Sequence, residues 1–343
     1  MGKVYGDRWE IVESLGEGGQ AQTFLVTDLK GQGETRYVLK RLKNLNRVER
    51  FRREIEAVRN LSHPNIVRLI DFDLETEKPY LVTEYCSGGS LVKVEPFWRG
   101  SPLKALEIFR QICMGVAYAH SQGITHRDLK PDNVFLQSKE GPAVVGDFGI
   151  CYLEEGGTRV TLTEEAVGPV YYMAPELEDG RVADISPKCD TYSLGKLLYW
   201  LLSGGRIFSR EKHRELEWDL KGWNSASHQW KNIYMEHVNR LLDLMIISSP
   251  EKRPTVEQVL PVVEDAIRLV QKEFIPIAKN ILAPCLFCGR GHYRLKAVNS
   301  TDVRNFGFTP VGAPDWRILV CDTCGHVQAF RVDMADKKEW WSR

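Results

Sequence analysis

The chain has 343 residues, of which 43% are apolar and 27% charged, and its 46 basic residues are balanced by 46 acidic ones. That length accommodates one large domain and a small one, and the composition can bury a core, which excludes wholesale disorder. With no formal net charge, global attraction to nucleic acid or to an anionic membrane is not expected. No apolar run approaches the roughly 20 residues that span a bilayer. The N-terminus lacks the apolar core of a secretion signal, and Gly6 breaks the myristoylation pattern that Gly2 would open. The expectation is a cytoplasmic protein with no membrane partner.

From Trp9 to Glu84 the pattern predicts short strands: around Ile11, Thr23 to Thr27, Tyr37 to Leu39, Ile66 to Asp71 and Tyr80 to Thr83. One helix, roughly Arg47 to Asn60, interrupts them, with Val48, Phe51, Ile55 and Val58 at helical spacing. After Ser87-Gly88-Gly89 the pattern turns helical, over Leu103 to His120, Thr191 to Leu202 and Asn232 to Ile247. Thr255 and Gln258 form a candidate capping box, with Pro261 expected to end that helix before a second begins. The chain leaves the helical region between Lys272 and Pro284, so the division is drawn at 1–275 and 276–343.

Four segments suit chemistry on phosphate. Leu15-Gly16-Glu17-Gly18-Gly19-Gln20-Ala21 lies between two predicted strands, and glycines let backbone amides approach a phosphate closely. Alone it reads equally well as an ordinary hairpin turn. Lys40 ends the apolar strand Tyr37-Val38-Leu39, and an inward ammonium there needs a partner, for which Glu54 on the following helix is suited. Further on come His126-Arg127-Asp128-Leu129-Lys130-Pro131-Asp132-Asn133, then Asp147-Phe148-Gly149, then Ala174-Pro175-Glu176.

These motifs, in this order, resemble the eukaryotic-type protein Ser/Thr kinase family over roughly residues 9 to 270. The resemblance implies an α+β, bilobal fold with a β-rich N-lobe over about 1–84 and a helical C-lobe over about 87–275. It also implies transfer of the γ-phosphate of Mg·ATP to protein hydroxyls. By the same resemblance Gly16, Gly18, Gly19 and Ala21 would cover the phosphates. Lys40 would hold the α- and β-phosphates and pair with Glu54, and Asp128 would accept the substrate proton. Lys130 would steady the γ-phosphate, and Asn133 and Asp147 would bind Mg²⁺. Glu84 to Cys86 resemble the adenine-binding hinge, with Thr83 behind it. Glu176, Arg253 and Asp190 resemble scaffold residues of the family, and Lys130 resembles its Ser/Thr class.

Two positions depart from that pattern. Ala21 stands where a third glycine is usual, which limits access to positive φ and tunes the loop without removing its amide. Pro169 stands where a threonine hydroxyl is usual and cannot supply its hydrogen bond. Arg127 resembles the arginine that meets a phosphorylated activation loop, and Thr158, Thr161 and Thr163 lie in the corresponding segment as candidates for modification, including by the protein itself.

Four cysteines are scattered singly (Cys86, Cys113, Cys151 and Cys189) and read as small buried hydrophobes. The other four form the pairs Cys285/Cys288 and Cys321/Cys324, each followed by glycine, separated by 32 residues. The two CxxC pairs suit a four-thiolate zinc site better than disulfides or redox chemistry. The gap exceeds the roughly 15–20 residues of the common pattern and needs a long hairpin or insertion. The pairs predict a small β-rich zinc ribbon with strands over Tyr293 to Val298, Arg317 to Val320 and Val327 to Val332. Four thiolates leave no open position, so the metal would be structural, and His292 and His326 read as surface residues. From residue 280 onward there are 9 basic and 6 acidic residues, and four thiolates on Zn²⁺ cancel most of that surplus. A protein partner is therefore favoured over nucleic acid for this module.

Overall fold

The computed structural model describes residues 3–17, 21–31, 35–94, 96–98, 101–148, 171–178, 185–215, 218, 220, 234–271, 287, 293–297, 316–321, 324 and 326–331. The first half builds a six-stranded antiparallel sheet from β1 (Val4–Tyr5), β2 (Trp9–Glu17), β3 (Ala21–Asp28), β4 (Arg36–Leu42), β5 (Leu69–Asp73) and β6 (Tyr80–Glu84), in the order β1-β2-β3-β4-β6-β5. Side chains alternate across it. One face carries Trp9, Val26, Leu39, Tyr80 and Val82 in a cluster with Tyr5. The other carries Leu42 and Leu81, which α1 (Val48–Val58) covers with Phe51 and Ile55. Lys40 is in register with Leu81 and two residues from Leu42, so it shares the face toward α1.

The expected strand at Ile66 to Asp71 lies three residues later. Ile66 instead forms a single parallel bridge to Val145, and Val67 N–H donates to Val145 O at 2.9 Å. The apolar run is split because its first residues tie the sheet to a small hairpin below it, which local propensity does not encode. That hairpin consists of β8 (Val134–Leu136) and β9 (Ala143–Val145), extended by β7 (Gly89–Ser90).

The helical half is α2 (Pro102–Ser121), α3 (Pro175–Glu178), α4 (Lys188–Ser203), α5 (Tyr234–Met245) and α6 (Val256–Gln271). Phe109, Ile112 and Val116 of α2 meet Leu194, Leu197 and Leu201 of α4, with Leu241, Met245, Val259 and Val263 completing one core. Burial of apolar area there is the main stabilising term, at about 25 cal/mol per Å². Ser101 caps α2 by accepting the Lys104 N–H. Gln258 accepts the Thr255 N–H at 3.0 Å, as a capping box requires. The expected break at Pro261 does not occur, and α6 runs through it. Proline forgoes one backbone bond, and the buried Val256, Val259, Val263, Ala266 and Ile267 hold the turns on either side.

A separate antiparallel sheet has the order β10 (Tyr293–Ala297), β11 (Trp316–Cys321), β12 (Val327–Arg331). These are the three strands expected near the C-terminus. Among the described residues, no helix is long and apolar enough to cross a membrane.

Candidate active site at the foot of the sheet

The short hairpin brings the polar residues together. Asn133 immediately precedes β8 and Asp147 follows two residues after β9, so pairing the two strands sets them side by side. Asn65 fixes the hairpin from below, donating through Nδ2 to Ala143 O at 2.8 Å.

Asp190, at the start of α4, is fully buried and organises the segment before β8. Its Oδ2 accepts the His126 N–H at 2.7 Å, and its Oδ1 accepts the Arg127 N–H at 2.8 Å. Burial alone would raise this carboxyl, but the hydrogen bond from His120 at 2.8 Å, its charge and that of His126 hold it below the usual carboxylate range. Arg127 sits at φ 67 and Asp147 at φ 50, a left-handed conformation that costs a non-glycine residue about 1–2 kcal/mol. Anchoring the Arg127 N–H on a buried carboxylate offsets that cost. His126 donates through Nε2 to Gly146 O at 3.0 Å and accepts the Asp128 N–H on Nδ1 at 3.2 Å. The two bonds fix its tautomer and join the loop before β8 to the segment after β9. Phe148 packs on the His126 ring, 4.7 Å between centroids.

Within this frame the side chains converge. Lys130 Nζ lies 2.9 Å from Asp128 Oδ2, and Asn133 Nδ2 donates to both Asp128 O (2.8 Å) and Asp128 Oδ2 (2.9 Å). Both amide hydrogens of Asn133 are spent on Asp128, which leaves its Oδ1 as a hard oxygen donor. Lys40 reaches down from β4 to Asp147 Oδ1 at 3.2 Å. That ammonium is the leading cause holding the Asp147 carboxyl below its usual range. Asp147 thus offers a charged, half-exposed oxygen beside the Asn133 amide, a donor set of the hard oxygen type that suits Mg²⁺.

Of the other expected residues, Gly16 is exposed at φ 153 and Gly18 and Gly19 lie outside the described residues. Ala21 begins β3 paired with Leu42 and is not at positive φ, so its methyl carries no backbone penalty. Glu54 lies on α1 with its side chain outside the described set. Thr83 and Glu84 end β6, and the Glu84 carboxylate accepts the Arg68 N–H at 2.8 Å. Cys86 follows, its thiol pushed up to about 12 by burial and so neutral. Cys113 and Cys189 are buried as well. Gly149, Cys151, Thr158, Thr161, Thr163 and Pro169 lie outside the described residues, as do Cys285, Cys288 and His292. Sequence reasoning missed His120 and Asn65. The available signal for His120 was a histidine in the last turn of an otherwise apolar helix.

The profile of the protein kinase domain matches residues 9–262. The chain belongs to the protein kinase domain family. Serine/threonine-protein kinase PrkC of Bacillus subtilis (strain 168) is 35% identical over 243 residues, covering 67% of this chain and 37% of the relative. Maternal embryonic leucine zipper kinase of Danio rerio is 34% identical over 254 residues, covering 74% of this chain and 37% of the relative. Serine/threonine-protein kinase Pkn1 of Myxococcus xanthus is 40% identical over 170 residues, 48% of this chain and 24% of the relative. The chain therefore spans little more than a third of the first two relatives.

Proposed function

We propose that this chain is an ATP-dependent protein serine/threonine kinase, acting on protein substrates and on its own activation segment. The observation that carries the reading is the convergence of Lys40, Asp128, Lys130, Asn133 and Asp147 at the foot of one sheet. When bound, Mg²⁺ would supply positive charge against the phosphates. Asp147 and Asn133 Oδ1 would hold that ion. Lys40, paired with Asp147 here, would hold the α- and β-phosphates. Asp128, oriented by Asn133 and Lys130, would accept the proton of the incoming hydroxyl. The relatives' names and Lys130 favour Ser/Thr over Tyr. Arg127 Nε is buried with no hydrogen-bond partner among the described residues, which supports a phosphorylated Thr158, Thr161 or Thr163 as its counterpart. Incubating the protein with Mg·ATP and a peptide library, then mapping phosphate by mass spectrometry, tests this. Phosphate is expected on Ser and Thr of the peptides and between Ile150 and Met173 of the protein; phosphotyrosine alone, or none, would refute it.

For residues 276–343 we infer a four-cysteine zinc ribbon, structural or recruiting a protein partner, following a kinase domain over 1–275. Cys321 is buried and its sulfur accepts the Cys324 N–H at 3.4 Å, the sulfur–amide contact of a metal knuckle. Phe287, between Cys285 and Cys288 in sequence, stacks on His326 at 5.1 Å and 12°, which supports the two pairs meeting. Among the described residues no cluster of three metal-ligating side chains is complete. Elemental analysis should find one zinc per chain, lost in Cys321→Ser; a content well below one would remove the metal from the reading.

A further inference from the structure

The strand β9 is three residues long, and its register on β8 decides where Asp147 stands. Ala143, Val144 and Val145 are all buried, as are Val134 and Leu136 of β8. A strand with apolar surroundings on both faces has no inside–outside alternation to fix its register. A slip by one residue would move Asp147 along the strand by roughly 3.4 Å relative to Asn133. Two side chains that share one ion must be held to within about 0.5 Å. The metal site therefore needs β9 pinned by something other than its own side chains.

In an antiparallel pair alternate residues turn their backbone groups away from the partner strand, and in β9 these are Ala143 and Val145. Val145 N–H donates to Asn65 O, and Val145 O accepts the Val67 N–H, both at 2.9 Å. Ala143 O accepts from Asn65 Nδ2 at 2.8 Å. Ala143 N–H donates to Gln111 Oε1, on α2, at 2.7 Å. Asn65 is itself seated against α2, since a Cβ at Gly115 would lie 2.5 Å from Asn65 O and only glycine fits there. Beyond β9, Gly146 N–H donates to Asn133 O at 2.9 Å, and Gly146 O accepts from His126 Nε2 at 3.0 Å. Those two bonds carry the register of β9 directly to Asn133 and Asp147.

We propose that Gln111 and Asn65 are positioning residues for the divalent cation, pinning β9 so that the Asp147 carboxylate and Asn133 Oδ1 stand at one separation. The inference rests on the Mg·nucleotide reading of that site. Both residues act through the backbone of Ala143, one on its N–H and one on its carbonyl, so a shift of β9 in either direction along β8 breaks both bonds. Their effect falls on the metal, and through it on the phosphates, and not on the adenine end of the ligand.

Gln111 gives the cleaner test, because it is half-buried and lies outside the apolar core that α2 helps to build. Gln111→Met keeps the length of the side chain and loses the acceptor, whereas Gln111→Glu keeps an oxygen at the same reach. Calorimetry on the full chain with the non-hydrolysable β,γ-imido analogue of ATP, in Mg²⁺ and again in EDTA, separates metal from nucleotide. In Gln111→Met the Kd in Mg²⁺ is expected to rise about threefold or more, less than the roughly 10–100-fold lost when a group bonded directly to a metal ligand is removed. The Kd in EDTA should stay at the wild-type value, and Gln111→Glu should match wild type in both conditions. An unchanged Kd in Mg²⁺ for Gln111→Met overturns the pin. So does an equal loss in Mg²⁺ and EDTA, which a merely loosened helix would give, or a Gln111→Glu as weak as Gln111→Met. A wild type whose affinity ignores Mg²⁺ would instead remove the metal reading itself, and the pin with it.

Discussion

Arg253 spends all five guanidinium hydrogens: on both oxygens of Glu176, on Ile247 O, on Ser248 O and on Lys188 O. It is 1% exposed, so every one of those partners would be left unpaired by truncation. Arg253→Ala is expected to cost about 3–5 kcal/mol in denaturant unfolding, and Arg253→Lys most of that, since an ammonium has three donors and no fork. A loss under about 1 kcal/mol would contradict this reading of the pair. Glu176 and Arg253 were legible because each sits in a long, specific motif. The ion pair of Lys40 with Asp147 at 3.2 Å, 107 residues away, was not, while the expected Glu54 has its side chain outside the described residues. Pairing across that separation is decided by how the two halves meet, which no local pattern states. Lys130, Asn133 and Asp128 lie within five residues of each other, and their mutual bonds follow from one turn of chain.

At the scale of elements, the helices followed their 3.6-residue period closely, and the ends were set by chemistry the period ignores. The α6 helix overrode Pro261 because its buried valines outweigh one missing backbone bond. The strand at Ile66 gave way to β5 because its first residues are claimed by β9. A different conflict lies inside α4, where Lys196 is 4% exposed among leucines. Its Nζ donates to Phe208 O at 2.7 Å and Arg210 O at 2.6 Å, and lies 3.8 Å from the Phe208 ring centroid. It thereby staples the loop after α4 to the helix. Burial, with the charge of Arg210, pushes its pKa down to about 7. The folded state then binds fewer protons than the unfolded chain between about pH 7 and the ordinary lysine value near about 10.4. Stability from this group therefore rises with pH through that window and is flat below it. Unfolding free energies of wild type and Lys196→Met should diverge in favour of wild type from about pH 6 to about pH 9. A difference that stays constant over that range would refute the assignment.

At the scale of the molecule, the sheet supplies Lys40, the small hairpin supplies Asn133 and Asp147, and the helical half supplies Asp190, which shapes the loop bearing Asp128. Neither half holds the whole set of side chains, and that division was visible in the order of the motifs. The depth of its bracing, through His120 and Asn65, was not visible, since each is a single residue whose meaning lies in a distant partner.

Transfer of labelled γ-phosphate from Mg·ATP, compared between wild type and Asp128→Asn, is the most direct test. The substitution keeps the shape of the side chain and removes the acceptor for the substrate proton. Transfer should fall by about 10²–10⁴, while the Kd for Mg·ATP stays within about twofold. Equal transfer by the two proteins would show that Asp128 is not the base and that the convergence at the foot of the sheet is not a catalytic centre.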